Sequence, residues 1–192
     1  MITRILFSLL LLTSGVLAQV VQTAKVGEFP SVRVQVTVGT QQRRLGDSYR
    51  KSMEINPKVV IEGAARLQAI PAAEATMLVI TMDTAAKYRG GVESYKIHTA
   101  QTLPIPAATS GERRTFTFES STVTYDSYRD STNIGGQVYK YFIFGLRDAV
   151  TKEIVDFETN NAGLSALCKT DPAKREEFLA LKAGGKLPPS FK

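Results

Sequence analysis

Residues 32–38 read Val-Arg-Val-Gln-Val-Thr-Val. Strict alternation of β-branched and polar side chains suits a strand with one buried face, because successive side chains of an extended chain point to opposite sides. The pattern returns in Tyr95 and Ile97 against Lys96 and His98. It returns again in Phe116 and Phe118 against Thr115, Thr117 and Glu119. Two further segments, residues 77–82 and 138–146, are apolar on both faces. Such runs belong to central strands whose outer face is also covered, here by a helix or a loop. Residues 55–62 read as another strand. Pro57 is expected at its start or on an edge, because proline cannot donate to a ladder. A turn over residues 147–151 returns the chain into a strand at 153–158. Residues 40–51 read as a polar loop, and 67–70 as a short strand or a turn ahead of Pro71.

The period changes after residue 160. Leu164, Leu167 and Cys168 recur at helical spacing. Asp171-Pro172 reads as a cap followed by a proline at the first helical position. Residues 173–182 then carry a narrow stripe of Phe178 and Leu181, and Gly184-Gly185 stops the helix. About seven short strands followed by so little helix predict an antiparallel β-sandwich of immunoglobulin-like architecture. With no Trp and Cys168 as the single cysteine, the disulfide and buried tryptophan of antibody domains are missing, so the likeness is one of architecture.

The first eighteen residues constrain destination. Arg4, the apolar run at 5–12 and the small residues Gly15 and Ala18 have the layout of a secretory signal peptide cut after Ala18. The run is far shorter than the roughly 20 apolar residues of a membrane span. The expected organisation is a cleaved signal peptide at 1–18, a mobile lead-in at 19–30, a sandwich at 31–160, a helical appendage at 161–185 and a flexible tail at 186–192. Exported, soluble and without a disulfide, such a chain suits a bacterial envelope or the extracellular medium. Removing Arg4 with the leader lowers the net charge by one from +6. The cations are scattered, so a nucleic-acid face is not expected.

Catalytic signatures are sparse. His98 is the sole histidine and lies on a polar strand face, where a surface role is expected. Cys168 falls on an apolar stripe and reads as a small buried hydrophobe. One His and one Cys do not furnish a zinc site, which takes three or four ligands. The glycine pairs at 90–91 and 135–136 lack phosphate-loop context and read as turns. Asp156 and Glu158, two apart on one strand, share a face, and paired carboxylates can act on a glycosidic bond. Asp126, Asp130 and Asn133 share a turn-rich loop that Asx turns explain without a cation. Tyr128 beside Arg129 offers apolar area with a polar tip for a sugar or protein, whereas Tyr139 and Tyr141 read as core.

The sequence therefore predicts a non-enzymatic exported module with no cofactor or metal. It would bind a protein or glycan of the envelope or medium through loops 83–91 and 126–136, through a strand edge, or through the C-terminal helix and tail. Candidate contact residues are Asp126, Tyr128, Arg129, Asp130, Asp156 and Glu158. Two alternatives are a self-assembling envelope protein and a carbohydrate-binding or carbohydrate-active domain.

Overall fold

The alternating segments become the inner faces of two antiparallel sheets. The computed structural model describes residues 28–46, 49–85, 93–127, 135–188 and 191; residues 1–18 and 19–27 of the expected leader and lead-in lie outside them. Among the described residues the strands are β1 (Val32–Arg44), β2 (Arg50–Gly63), β3 (Ala73–Asp83), β4 (Tyr95–Ile105), β5 (Arg114–Thr117), β6 (Ser121–Asp126), β7 (Gln137–Asp148), β8 (Ile154–Thr159) and β9 (Lys186–Leu187). Two helices, α1 (Ala162–Thr170) and α2 (Ala173–Leu179), fall between β8 and β9. One sheet holds β1 and β2 with β5 and β6 end to end along the far side of β2. The other runs β8-β7-β3-β4-β9. The fold is a mainly β, sandwich-like arrangement, as the alternation predicts.

Val32, Val34, Val36 and Val38 pack inward with Ile55, Val59, Ile61, Met77, Val79, Phe144 and Leu146 to form the core between the sheets. The outer face of the second sheet carries its own core of Leu78, Ile80, Tyr141 and Ile143 beneath Leu164, Cys168, Phe178 and Leu179. This second core explains why β3 and β7 are apolar on both sides. Gly145 on β7 makes the helix docking close: a Cβ there would lie 2.2 Å from the Leu179 side chain. Arg147 fixes the same helix by a bidentate pair to Glu176 at 2.6–2.7 Å. Asn161 Oδ1 accepts the Leu164 N–H to cap α1, and Asp171 Oδ1 accepts the Ala173 N–H ahead of α2.

Several expectations change. Residues 161–185 pack as a third layer on the outer face of the second sheet, because a seven-residue helix is marginal without a surface to cover. Residues 186–192 are not all a loose tail: Lys186 and Leu187 pair with Lys96 and Tyr95, and Phe191 packs edge-on to Phe178 and Tyr141. Phe29, within the expected lead-in, packs against the inter-sheet core. The expected loop at 40–51 is largely strand, since β1 runs on to Arg44 and β2 starts at Arg50. Residues 67–70 contribute only an isolated bridge between Ile70 and Ala108.

Pro57 is buried and lies inside β2, a central strand. Ser31 and Leu45 exchange backbone bonds with the β2 side, so odd-numbered β1 residues face the ladder. Val38, opposite Pro57, does not. The proline nitrogen therefore points to the other side of β2, at the step where pairing with β6 ends at Ile55 and pairing with β5 begins at Lys58. The Pro57 carbonyl on that side accepts the Phe118 N–H at 3.0 Å, so the proline forgoes only the return N–H bond. The same step separates β5, which carries the alternation read from Thr115, from β6.

Candidate functional site

Three chain reversals converge at one end of the sandwich. The stems of loop 83–91 and loop 126–136 are joined directly: Gly136 carbonyl accepts the Thr84 N–H at 3.0 Å and the Thr84 hydroxyl at 3.2 Å. The Asp126 N–H donates to the Gly135 carbonyl at 3.0 Å. The β1–β2 turn joins them, because the Ser127 N–H donates to Tyr49 carbonyl at 2.8 Å and Arg50 pairs with Asp126 across the ladder. Gly136 makes the junction possible. Its φ is +93°, and a Cβ would sit 2.1 Å from the Thr124 carbonyl oxygen.

This end presents Tyr49, 59% exposed, and Leu45, 43% exposed. Arg43, Arg44 and Asp126 lie around them, with Lys51 half-buried nearby. An exposed tyrosine and leucine ringed by charges form the amphipathic surface that suits protein or glycan contact. Of the six residues singled out from the sequence, Asp126 stands here. Tyr128, Arg129 and Asp130 lie outside the described residues, in the loop whose stems this junction holds. Tyr49 and Leu45 were hidden within a segment read as a uniformly polar loop; two large side chains among polar neighbours were the available signal.

Asp156 and Glu158 are brought together, but elsewhere. They lie on β8 at the edge of the second sheet, and both are half-buried. Phe157 between them turns to the helix layer, so the two carboxylates face the first sheet. The Val36 amide of β1 points at the Glu158 carboxylate. Burial is the main influence on both and pushes both carboxyls above the usual carboxylate range. Asp156 raises Glu158 further, while Arg175 and the Phe157 amide partly offset the effect on Asp156. Asp156 Oδ2 is buried without a hydrogen-bond partner. Glu158 thus stands where the edges of the two sheets meet. At the opposite edge the sheets are bridged by Gln101: its Nε2 donates to the Glu119 carbonyl at 3.0 Å, and its Oε1 accepts the Glu119 N–H at 2.8 Å.

The remaining chemical groups are dispersed. His98 is half-buried on β4, and burial together with Lys96 holds its imidazole below the usual range. Cys168 is buried, and desolvation pushes its thiol up, away from the thiolate a nucleophile needs. Tyr141 is core, with burial pushing its phenol up, and Tyr139 is half-buried with its hydroxyl accepting from Asn160. Among the described residues no group of three or more His, Cys, Asp or Glu side chains is placed to hold a metal ion. No described helix is long and apolar enough to cross a membrane. A cleft of about 550 Å³ opens at the other end of the sandwich, lined by Glu62, Arg66, Glu112 and Arg113 around Gly63 and Gly111. Its lining carries two acids and two arginines, and neither Asp156 nor Glu158 borders it.

No protein-family model matches the chain, and no curated protein matches it. Solved structures align with the chain only distantly. One is a crystal structure from Akkermansia muciniphila, with 13% identity and a TM-score of 0.34 over 84% of this chain and 79% of that one. Another is a calcium-binding mutant of Bacteroides uniformis beta-glucuronidase 2, with 12% identity and a TM-score of 0.35; the match covers 66% of this chain but 12% of that protein. A third, a structural-genomics target, has 13% identity and a TM-score of 0.31 over 67% of this chain and 85% of that one. Likeness at this level carries no argument about activity.

Proposed function

We propose that this chain is an exported, non-enzymatic β-sandwich module that binds a protein or glycan of the cell envelope or medium through the end where its three reversals meet. The observation that carries the reading is the junction of Tyr49, Thr84, Asp126 and Gly136, which gathers separate loops into one surface. Loops held by a rigid scaffold are where binding residues concentrate. The leader-like start of the sequence supports export. The C-terminal helices pack on their own sheet, so the version in which they dock on a partner loses its support.

The test is an in-cell cross-linking pull-down of the tagged full chain, washed at moderate salt and read by mass spectrometry. The reading expects one dominant partner, retained by the wild type and reduced about tenfold or more by Tyr49→Ser, a loss of about 1.4 kcal/mol. Equal recovery with Tyr49→Ser would move the contact away from this end. Turnover of a glycoside substrate that Asp156→Asn abolishes would replace the reading with the carbohydrate-active alternative.

A further inference from the structure

We infer that the outer edge of β1 pairs antiparallel with the same edge of a second copy of this chain, through residues 38–42. The inference goes beyond the loop-end reading and does not depend on it, because it uses the β1 backbone.

The sheet edges are not treated alike. β8 is six residues long, carries a bulge beside Leu146, and turns two carboxylates inward. β4 is covered at one end by β9, and Gln101 reaches from it to the Glu119 backbone. β5 and β6 are short and offset from each other. Short, bulged, charged or covered edges are the usual ways a fold prevents strand addition. β1 has thirteen residues, no proline and no bulge. Between Arg33 and Arg43 it carries no charge: the run is Val-Gln-Val-Thr-Val-Gly-Thr-Gln-Gln. Among the described residues, no strand lies on its outer side.

The alternation of the ladder fixes what that edge offers. Odd-numbered residues bond to β2, as Ser31 and Leu45 do at the two ends. The N–H and C=O groups of Val36, Val38, Thr40 and Gln42 therefore point outward. The Glu158 carboxylate stands at the Val36 amide, which leaves Val38, Thr40 and Gln42. Residues 39–42 are exposed and project beyond the inter-sheet core.

An antiparallel second copy fits this set about a two-fold axis at Thr40. Thr40 meets Thr40 of the other copy, and Val38 meets Gln42 in both directions. Outward-facing residues then oppose outward-facing residues, as a hydrogen-bonded ladder requires. Arg43 falls opposite Thr37 and Arg44 opposite Val36, so no cation faces a cation. The occupant has the chemistry of the edge itself: an uncharged, Thr- and Gln-rich strand. Five paired residues make a small interface, so the association is weak and concentration-dependent.

The two-fold pairing supplies its own test. Thr40→Lys and Thr40→Glu each place like charges opposite each other, whereas a mixture of the two places opposite charges there. Sedimentation of the full chain across a concentration series should show reversible dimer for the wild type. Each single variant should associate about tenfold more weakly or worse, the equimolar mixture should recover dimer, and Val150→Lys at the other end should change nothing. Thr40→Pro, which removes one outward N–H, should also abolish pairing. Melting curves establish that each variant is folded. A wild type monomeric throughout the series would overturn the proposal. So would association that survives Thr40→Lys and Thr40→Glu, or a mixture no more associated than its components.

Discussion

Asp156 is an ionisable group placed where ionisation is costly. Its carboxyl is raised mainly by burial, and Glu158 beside it is raised as well. Unfolded, such groups titrate near 4. Between that value and their raised folded values the native state binds more protons than the unfolded chain, so their contribution to stability falls as pH rises through the window. Above the folded values the unfavourable contribution is complete. Melting temperature should therefore rise as pH is lowered from neutral towards the ordinary carboxylate range, and Asp156→Asn should raise it at neutral pH while flattening that dependence. A wild type whose melting temperature falls steadily over the same interval, unchanged in shape by Asp156→Asn, would contradict the placement. Gly145→Ala tests packing in the other core. Its methyl would meet Leu179, and overfilling at such a site costs about 1–3 kcal/mol, read as a lowered denaturation midpoint. Gln101→Leu should cost about 1 kcal/mol, since both of its bonds are exposed and water replaces them in part.

The C-terminal helices are cover for the second sheet. Ending the chain after Thr170 removes Phe178, Leu179 and Leu187 from the outer core. The expected outcome is strong binding of an apolar dye and loss of a cooperative melt, whereas a truncated chain that melts as the wild type does would return these residues to the status of an appendage. Much of this layer was legible in the sequence. Alternation located the buried face of β1, and the runs around Met77 and Val138 announced strands needing cover on both sides. Pro57 was misplaced because its cost depends on which side its nitrogen faces and on the step between β5 and β6, neither of which has a local signal. The half of β1 beyond Gly39 was missed because its side chains are exposed on both faces, so no burial pattern marks it.

Of the candidate site, the sequence supplied single residues but not their grouping. Asp156 and Glu158 were correctly placed on one face, yet that face turns out to meet the edge of β1, a long-range arrangement that spacing does not encode. The loops at 83–91 and 126–136 do share one end, and Tyr49 joins them only because the β1–β2 hairpin is long enough to reach it. Among the described residues the molecule that results has short, bulged or covered sheet edges beside the open edge of β1, a helix-covered back, and one end where three reversals gather. That polarity is the central claim, and a photo-reactive side chain introduced at position 49 tests it most directly against one at position 150, which is 86% exposed at the opposite end. In cells, position 49 should cross-link a discrete partner while position 150 gives none. Capture of the same partner from position 150, with none from position 49, would contradict it.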